Sequence, residues 1–320
     1  MKLRRKATSV LITASVIVIF LSYFIFNTED FKPLLDIDGY LLIIIALANI
    51  AGVFTNGLFT KFILEPFKKY ISISEAFYVS VISSIGNFFA PAGTGFGIRA
   101  IYLKKKHGLP YSEFMSTLSG NYILVFLTSS LIGLISLYLL KDQYNGQYLV
   151  LALVFGLVFI VSLALSLIRI KLPNVEPAQA KKVNPMINNL YRVLYGWSKI
   201  AADRQLVFKL AGLVIANLVV ATLMYWAVIT SLGLTAKLPA LLLFTVLGSF
   251  TIFINVTPAN LGIKEAVFIF SSTVLGFSVS QILLIAIVDR GVQFVVLISL
   301  WLLSVRLKSR QFIQESQNQD

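Results

Sequence analysis

Long apolar runs, separated by short polar segments, dominate the sequence. A helix needs about 20 apolar residues to cross roughly 30 Å of hydrocarbon. Runs of that length occur six times, at about residues 7–26, 40–59, 120–140, 148–168, 206–232 and 281–305. The pattern therefore predicts about six full membrane spans. A mean hydropathy of +0.85, with only 13% of residues charged, is typical of an integral membrane protein.

Two further apolar regions are interrupted by residues that break helices. The first, at about 75–103, is broken at Pro91 and continues through the glycine-rich stretch "AGTGFG". The second, at about 239–276, is broken at Pro258. Proline ends or kinks a helix, and glycine allows backbone conformations that other residues avoid. Neither region is therefore expected to form one straight span.

The basic residues indicate how these segments are arranged. Lys plus Arg number 27 against 14 Asp plus Glu, and cytoplasmic loops of membrane proteins carry an excess of Lys and Arg. The opening MKLRRK, the cluster Lys104–Lys106, residues 169–209 and the C-terminal tail are all basic. This distribution predicts cytoplasmic N- and C-termini. The first broken region then starts and finishes inside, and the second starts and finishes outside.

The sequence thus predicts an all-α, polytopic transmembrane helical bundle with about six full spans and two oppositely entering broken or re-entrant hairpins. An eight-helix arrangement without hairpins is the alternative, because it also leaves Arg99 inside. Both broken regions contain Asn, Pro-Ala, Gly-Ile and then a base. We therefore predict a weak inverted repeat in a single integral membrane domain, residues 1–320. The repeats cover about 75–168 and 239–305, and a cytoplasmic linker and interfacial helix cover about 169–205.

Broken helices that enter from opposite faces are typical of inverted-topology transporters, whose substrate site forms where the breaks meet near the midplane. The alternative is that both breaks are packing devices. In the first interpretation, Gly93, Gly95 and Gly97 leave backbone N–H groups uncovered at the start of a half-helix, an arrangement that binds anions. Arg99 adds a planar fork suited to phosphate, and Lys264 has the matching place in the second region.

Three more charged residues fall at membrane depth. A central charge costs roughly 2.5–3.5 kcal/mol on insertion scales, so Glu265, Asp289 and Arg290 are expected to face a partner or a water-filled cavity. Consecutive helical residues point about 100° apart, so Asp289 and Arg290 cannot neutralise each other. We predict cross-helix pairs, with Arg290 to Glu265 as the first candidate. Such pairs either belong to the site or hold the hairpin against the last span, and Glu265 or Asp289 could instead carry a coupling proton.

The candidate substrate-binding residues lie in the two breaks and beside them. They are Asn87, Pro91, Gly93, Gly95, Gly97, Arg99, Asn255, Pro258, Gly262, Lys264, Glu265, Asp289 and Arg290. For Arg99 the alternative is an ordinary anchor at the cytoplasmic end of a helix. No catalytic residue is assigned, and the absence of Cys with a single His excludes thiolate and His-based metal or haem sites. No cofactor, metal or nucleic-acid partner is expected, because topology explains the positive charge.

The stretches "GNFFAPAGTGFGIRAIYL" and "NVTPANLGIKEAVFIF", the latter followed by "VSQILLIAIVDRGVQF", resemble paired signatures of a known family. This is the lysylphosphatidylglycerol synthase transmembrane region, a flippase-like membrane family, and the resemblance extends from about residue 7 to 305. By position, it implies roles for Pro91, Gly97, Arg99, Pro258, Gly262, Lys264, Glu265 and Arg290. The family's first repeat often has Glu-Arg where this chain has Asn121-Tyr122. That difference removes a charged pair from one half and weakens a symmetric two-site mechanism.

Full-length synthases of that family join the membrane unit to a large soluble aminoacyl-transferase domain. This chain has no room for that domain, so the resemblance implies a stand-alone member with a role in lipid translocation. The leading hypothesis is flippase-like movement of an anionic phospholipid or a lipid-linked sugar between the leaflets of a prokaryotic plasma membrane. The alternatives are an intramembrane transferase that acts on a lipid carrier, with Glu265 or Asp289 as base, and a non-transporting membrane partner of a separate lipid-modifying enzyme.

Overall fold

The computed structural model describes residues 28–91, 93–141, 146–167, 185–251 and 256–317. Within these ranges the chain forms α-helices and short 3₁₀ turns, and no strand. The helices are α1 (Gly39–Ile63), α2 (Ile73–Phe89), α3 (Thr94–His107), α4 (Tyr111–Leu139), α5 (Gly146–Leu167), α6 (Pro185–Ala202), α7 (Arg204–Ser231), α8 (Leu238–Thr251), α9 (Ile263–Phe270), α10 (Ser272–Leu275) and α11 (Val279–Gln317). The predicted all-α fold class is confirmed.

Several helices begin at a polar residue that caps them. Asp38, Ser72 and Asp203 precede α1, α2 and α7, and each side-chain oxygen accepts a backbone N–H from two or three positions further on, at 2.9, 3.1 and 3.0 Å. The first N–H groups of a helix lack partners within the helix, so these caps supply them. The polar residues between the apolar runs therefore set where the helices start.

Five helices of the described residues are long and apolar enough to cross a membrane. They are α1 with its following 3₁₀ turn, α4, α5, α7 and the part of α11 up to Arg306. Each contains one of the predicted spans, so five of the six are confirmed, and the remaining one, residues 7–26, lies outside the described residues. α4 begins at Tyr111 rather than at about residue 120, because the polar segment after Pro110 continues the helix instead of forming a loop.

α2 and α3 form the first hairpin. Near its tip, a Cβ on Gly95 would overlap the carbonyl oxygen of Ser83 and the side chain of Asn87. Near its base, the Glu75 carboxylate lies 2.7 Å from Nε2 of His107. Residue numbers fall along α2 as they rise along α3, so the two helices run antiparallel and their outer ends lie together. The segment turns back on itself, which confirms the predicted re-entrant geometry.

α8, the 3₁₀ turn Pro258–Asn260, α9 and α10 form the second hairpin. At its tip, the Asn260 amide donates to the Thr251 carbonyl at 3.0 Å. Along its length, the rings of Phe244 and Phe268 are stacked with centroids 3.9 Å apart. The second half of this hairpin is divided between two short helices, whereas α3 is continuous.

The two hairpins enter from opposite faces. Thr55 of α1 donates to the Asn217 side chain of α7 at 3.0 Å, and the Asn49 amide reaches the Met224 sulfur at 3.5 Å. Residue numbers rise along α1 as they fall along α7, so these long helices are antiparallel. Each leads directly into a hairpin, and the hairpins therefore start at opposite ends of the bundle, as the charge distribution predicts.

The two halves also pack against each other reciprocally. α2 of the first hairpin contacts α11 and the tip turn of the second hairpin, whereas α8 of the second hairpin contacts α4. In the same way, α1 contacts α11 and α7 contacts α4. This exchange of partners follows from the inverted arrangement and brings both hairpin tips to the centre of the bundle. The limits of the two repeats stay a prediction.

α6 is the helix of the predicted interfacial segment, and it is fixed to α4. Trp197 and Ile200 are fully buried, and Gly196 approaches Ser116 so closely that a Cβ would overlap its side chain. The second half of this helix is therefore buried against the protein, and its interfacial position stays a prediction. The part of the predicted linker at residues 169–184 lies outside the described residues.

Candidate functional site

A cavity of about 380 Å³ lies where the two hairpin tips meet. Its walls come from both hairpins and from α1, α4, α7 and α11. Amide, hydroxyl and aromatic side chains provide most of the lining, and the two charged side chains among the described lining residues are both cationic. The polar lining comprises Thr55, Asn56, Ser83, Ser84, Asn87, Arg99, Asn121, Asn217, Thr245, Ser249, Thr251, Asn260, Lys264 and Gln293.

Arg99 supplies the positive charge of the first hairpin. It is only 7% exposed, and its guanidinium is held by neutral groups. Nε donates to the Ser83 hydroxyl at 3.2 Å, and Nη2 donates to Oδ1 of Asn56 at 3.3 Å. No carboxylate of the described residues forms an ion pair with it. Its charge is therefore buried without compensation, an arrangement that is costly unless an anion joins it.

Lys264 has the matching place in the second hairpin, and its surroundings are different. Its ammonium lies 2.5 Å from Oδ2 of Asp289 on α11 and 5.3 Å from the centre of the Tyr225 ring. Asp289 is buried and does not line the cavity. Lys264 therefore lines the cavity with its charge already neutralised.

Glu265 and Arg290 form a second ion pair behind the cavity wall. Nη2 of Arg290 lies 2.6 Å from Oε1 of Glu265 and also donates to the Asn260 carbonyl at 3.4 Å. The other oxygen of Glu265 accepts the backbone N–H of Gly262 at 2.7 Å, which caps α9. The predicted Arg290–Glu265 pair is confirmed. These contacts join the tip turn, α9 and α11, so they favour the structural interpretation of this pair.

The glycines of the first tip do not act as expected. The Gly95 N–H donates to Oδ1 of Asn87 at 2.9 Å, and the Gly97 N–H donates to the Gly93 carbonyl at 3.4 Å. The prediction that these two N–H groups are uncovered is therefore wrong. Gly95 instead allows α2 and α3 to touch, whereas Gly93 adopts a φ of 67° at the turn that follows Pro91. The packing interpretation holds for Gly95, because the hairpin closes around it.

The tip of the second hairpin contains a feature that the sequence did not signal. Ala259 and Asn260 have φ values of 50° and 54°, a left-handed conformation that non-glycine residues rarely adopt. Strained backbone of this kind occurs at sites where the surrounding structure fixes it. Pro258 starts the turn and Gly262 ends it with a φ of 81°. The predicted site residue Asn255 lies outside the described residues.

Of the predicted site residues, Asn87, Arg99 and Lys264 line the cavity, whereas Glu265, Asp289 and Arg290 stand behind it. The sequence reasoning missed the amides of the long helices and of the second hairpin tip. The missed amides in the lining are Asn56, Asn121, Asn217, Asn260 and Gln293. A signal existed, since an isolated amide within an apolar span is expensive unless it faces a polar partner or a cavity.

Aromatic side chains close one side of the cavity. Four aromatic rings contact one another in series, two from α4, then one from α8 and one from α5. Their successive centroids are 5.8, 5.3 and 5.2 Å apart. The last ring is fully buried against α4. The rings of this series are Tyr122, Phe126, Phe250 and Phe155.

The opposite side, between α2 and α11, is less covered. Phe88 lines the cavity there, and its neighbours Phe89 and Phe294 are 48% and 46% exposed. The last two rings contact each other edge to face, with centroids 5.8 Å apart. We call the junction marked by these three rings the phenylalanine seam.

The arrangement can bind an oxygen-rich anion, and it is poorly suited to acid–base chemistry. Both carboxylates near the cavity are engaged by cations and lie outside its lining. Among the described residues, no group of three or more carboxylate or imidazole side chains is placed to hold a metal ion. The uncompensated cation is thus the chemical feature that distinguishes this cavity.

A family model for the lysylphosphatidylglycerol synthase transmembrane region matches residues 9–300, which include both hairpins and the cavity. No curated protein matches the chain. The family suggests a membrane function related to lipids, and the apolar helices agree with it. The chain is therefore a multi-pass membrane protein that belongs to the lysylphosphatidylglycerol synthase transmembrane-region family.

Proposed function

We propose that this protein moves an anionic lipid, either a phospholipid or a lipid-linked sugar, between the two leaflets of its membrane. The observation that carries the proposal is the buried, uncompensated charge of Arg99 in a cavity between two broken hairpins. A phosphate at this guanidinium would supply the missing negative charge. At a separation of about 4 Å and an effective dielectric constant of about 20, that attraction is worth about 4 kcal/mol.

The size of the cavity supports binding of a headgroup rather than of a whole lipid. Its volume of about 380 Å³ lies near the lower end of the roughly 300–1,000 Å³ of ligand pockets. The acyl chains must therefore remain in the bilayer while the headgroup is inside. The phenylalanine seam offers them a path, because Phe89 and Phe294 are exposed there at the edge of the cavity.

The inverted hairpins support a mechanism of alternating access. Both tips border the cavity, and each hairpin reaches it from a different face of the bundle. Rocking of one half against the other would expose the headgroup first to one leaflet and then to the other. The basic segments of the sequence support cytoplasmic termini in this proposal, within a prokaryotic plasma membrane. A separate lipid-modifying enzyme is the partner that would supply or use the transported lipid.

The test is leaflet exchange of fluorescent phosphatidylglycerol in liposomes that contain the purified protein. We expect Arg99→Met to abolish exchange, because it removes the charge and keeps a side chain of similar length. Lys105→Met is the matched control, since it removes a charge from the exposed face of the same helix. Exchange by folded Arg99→Met at the wild-type rate would contradict the proposal. Chemical modification of the labelled lipid without exchange would favour the intramembrane transferase.

A further inference from the structure

The lining of the cavity is rich in hydrogen-bond donors, and this deepens the proposed function. We infer that the site selects lipids whose headgroup is a polyol joined through a phosphodiester with one negative charge, and that it rejects headgroups that carry an ammonium group. The inference rests on the proposed function, since it names the substrate class of the same cavity. It sets this chain apart from the lysyl-modified lipid in its family's name, because a lysyl headgroup is cationic.

The first observation is the orientation of two amides. Oδ1 of Asn56 accepts from Arg99, and Oδ1 of Asn87 accepts from the Gly95 N–H. Each oxygen is therefore occupied by a protein donor. No described residue accepts a hydrogen bond from the corresponding NH₂ groups. These groups are available to the cavity as donors.

The second observation is the charge of the lining. Arg99 and Lys264 are the charged side chains that line the cavity among the described residues, and only the second has a carboxylate partner. The site thus offers one net positive charge together with several neutral donors. One phosphodiester balances that charge, and its oxygens and the polyol hydroxyls accept from the donors. An ammonium group adds positive charge beside Arg99, so it would meet repulsion, whereas the unpartnered Oδ1 of Asn260 in the lining can accept from a polyol hydroxyl.

The third observation is the aromatic share of the lining. Phe88, Phe96, Tyr122 and Tyr225 contribute to the walls beside the amides. Polar groups placed between apolar walls fix the orientation of a ligand. A polyol suits such a lining, since its hydroxyls meet the amides while its carbon-bound faces meet the rings. A bare phosphate would leave those walls without a partner.

Binding to the full-length protein in neutral detergent micelles provides the first test. The probes are phosphatidylglycerol, phosphatidylinositol, phosphatidylmethanol, phosphatidylcholine and lysylphosphatidylglycerol, and the readout is displacement of one fluorescent phosphatidylglycerol. Phosphatidylmethanol is the matched control, because it keeps the phosphodiester charge and lacks the polyol. We expect the two polyol lipids to bind about tenfold or more tightly than the two lipids with ammonium groups, a difference of about 1.4 kcal/mol, with phosphatidylmethanol between them. Equal displacement by all five lipids would overturn the inference.

Soluble glycerophosphoglycerol, which has the polyol phosphodiester without acyl chains, distinguishes a lipid from a free polyol phosphate. We expect it to compete far more weakly than phosphatidylglycerol, because it has no acyl chains to lie along the phenylalanine seam. Competition at equal concentration would show that the ligand is the free compound and would contradict the lipid class.

A pair of substitutions at one position then tests the charge. Asn56→Asp keeps the oxygen that Arg99 contacts and adds a negative charge, which reproduces the Lys264–Asp289 pairing. We expect it to weaken phosphatidylglycerol binding about tenfold or more and to reduce the discrimination against lysylphosphatidylglycerol. Asn56→Leu removes the amide without adding charge, so we expect a smaller loss and unchanged discrimination. Equal effects of both variants would overturn the role of the uncompensated charge.

The exchange assay separates this inference from the proposed function. Selective binding of polyol lipids without exchange would support the substrate class and contradict translocation. Equal exchange of polyol and ammonium lipids, with loss in Arg99→Met, would support translocation and contradict the substrate class.

Discussion

The two hairpins share a plan and differ in their charges. In the second hairpin, Lys264 and Glu265 are paired with Asp289 and Arg290 of α11, at 2.5 and 2.6 Å. In the first, Arg99 has the corresponding place, and its guanidinium donates to a hydroxyl and an amide oxygen of the described residues. A buried ion pair that is complete within the protein has little left to offer a ligand, whereas a buried cation without a carboxylate still requires an anion. For this reason our proposal gives the second hairpin a structural role and the first the role of binding an anion.

The two similar signatures differ at the positions that supply these charges. Gly-Ile precedes both Arg99 and Lys264, but the next residue is Ala100 in the first signature and Glu265 in the second. In the helix that follows each hairpin, the first half has Asn121-Tyr122 and the second half has Asp289-Arg290. The departure from the family pattern at Asn121-Tyr122 therefore has a consequence, because an amide and a phenol line the cavity there in place of charges.

The largest expected effect comes from breaking the ion pair of the second hairpin. Asp289→Ala leaves Lys264 buried without a carboxylate, and loss of one partner of a buried pair costs about 3–5 kcal/mol. Arg99→Met breaks no ion pair, so we expect a much smaller change in the free energy of unfolding. Chemical unfolding of both variants in one detergent, followed by circular dichroism, measures the difference. Similar losses of stability in the two variants would remove the structural contrast between the hairpins.

The next effect concerns how the first hairpin closes without an ion pair at its tip. A Cβ on Gly95 would overlap the Ser83 carbonyl oxygen, whereas a Cβ on Gly97 would meet nothing within 4 Å. We expect Gly95→Ala to destabilise the protein by about 1–3 kcal/mol, the usual range for overpacking. Gly97→Ala, the control, should leave stability equal or slightly higher, because alanine favours a helix over glycine by about 1 kcal/mol. Thermal unfolding of the two variants measures this, and equal midpoints would contradict the close contact of α2 and α3.

Much of this fold follows from the sequence, because its main signals are local. A run of apolar residues predicts a span wherever it occurs, and basic clusters on both sides of a broken region predict a hairpin. The Arg290–Glu265 pair was also predictable, since two buried charges of opposite sign need partners. The start of α4 was not, because Tyr111 and its polar neighbours extend the helix beyond the apolar run.

The site was less predictable, because its chemistry depends on contacts between distant segments. Asn56 reaches Arg99 across 43 positions, and Thr55 reaches Asn217 across 162. No periodicity in one segment reports the packing of another, so the donor-rich lining emerges only from the tertiary structure. The role of Gly95 was unpredictable for the same reason. A glycine-rich motif is compatible with an anion-binding turn and with a close contact between two helices, and only the packing of α2 against α3 decides between them.

The smallest expected effect concerns the base of the first hairpin, which carries ionic contacts that the described residues of its tip lack. At the base of the first hairpin, outside the spanning helices, one oxygen of Glu75 contacts His107 at 2.7 Å, Lys106 at 2.9 Å and Tyr102 at 2.9 Å. Burial raises the pKa of this carboxyl, but the hydrogen bonds from its three partners outweigh burial and lower the pKa below its ordinary value of 4.5. The charged carboxylate therefore stabilises the folded state.

The sign of the pH dependence follows from this lowered pKa. The stabilisation is fully present above the unfolded pKa of 4.5 and is lost as the pH falls through the lower folded pKa. We expect the thermal midpoint of the wild type to fall on acidification below about pH 4.5, and Glu75→Gln to flatten that fall by about 1 kcal/mol or less, because Lys106 is largely exposed. A fall of equal size in wild type and Glu75→Gln would show that the cluster at the base contributes nothing, and the first hairpin would then depend on helix packing alone.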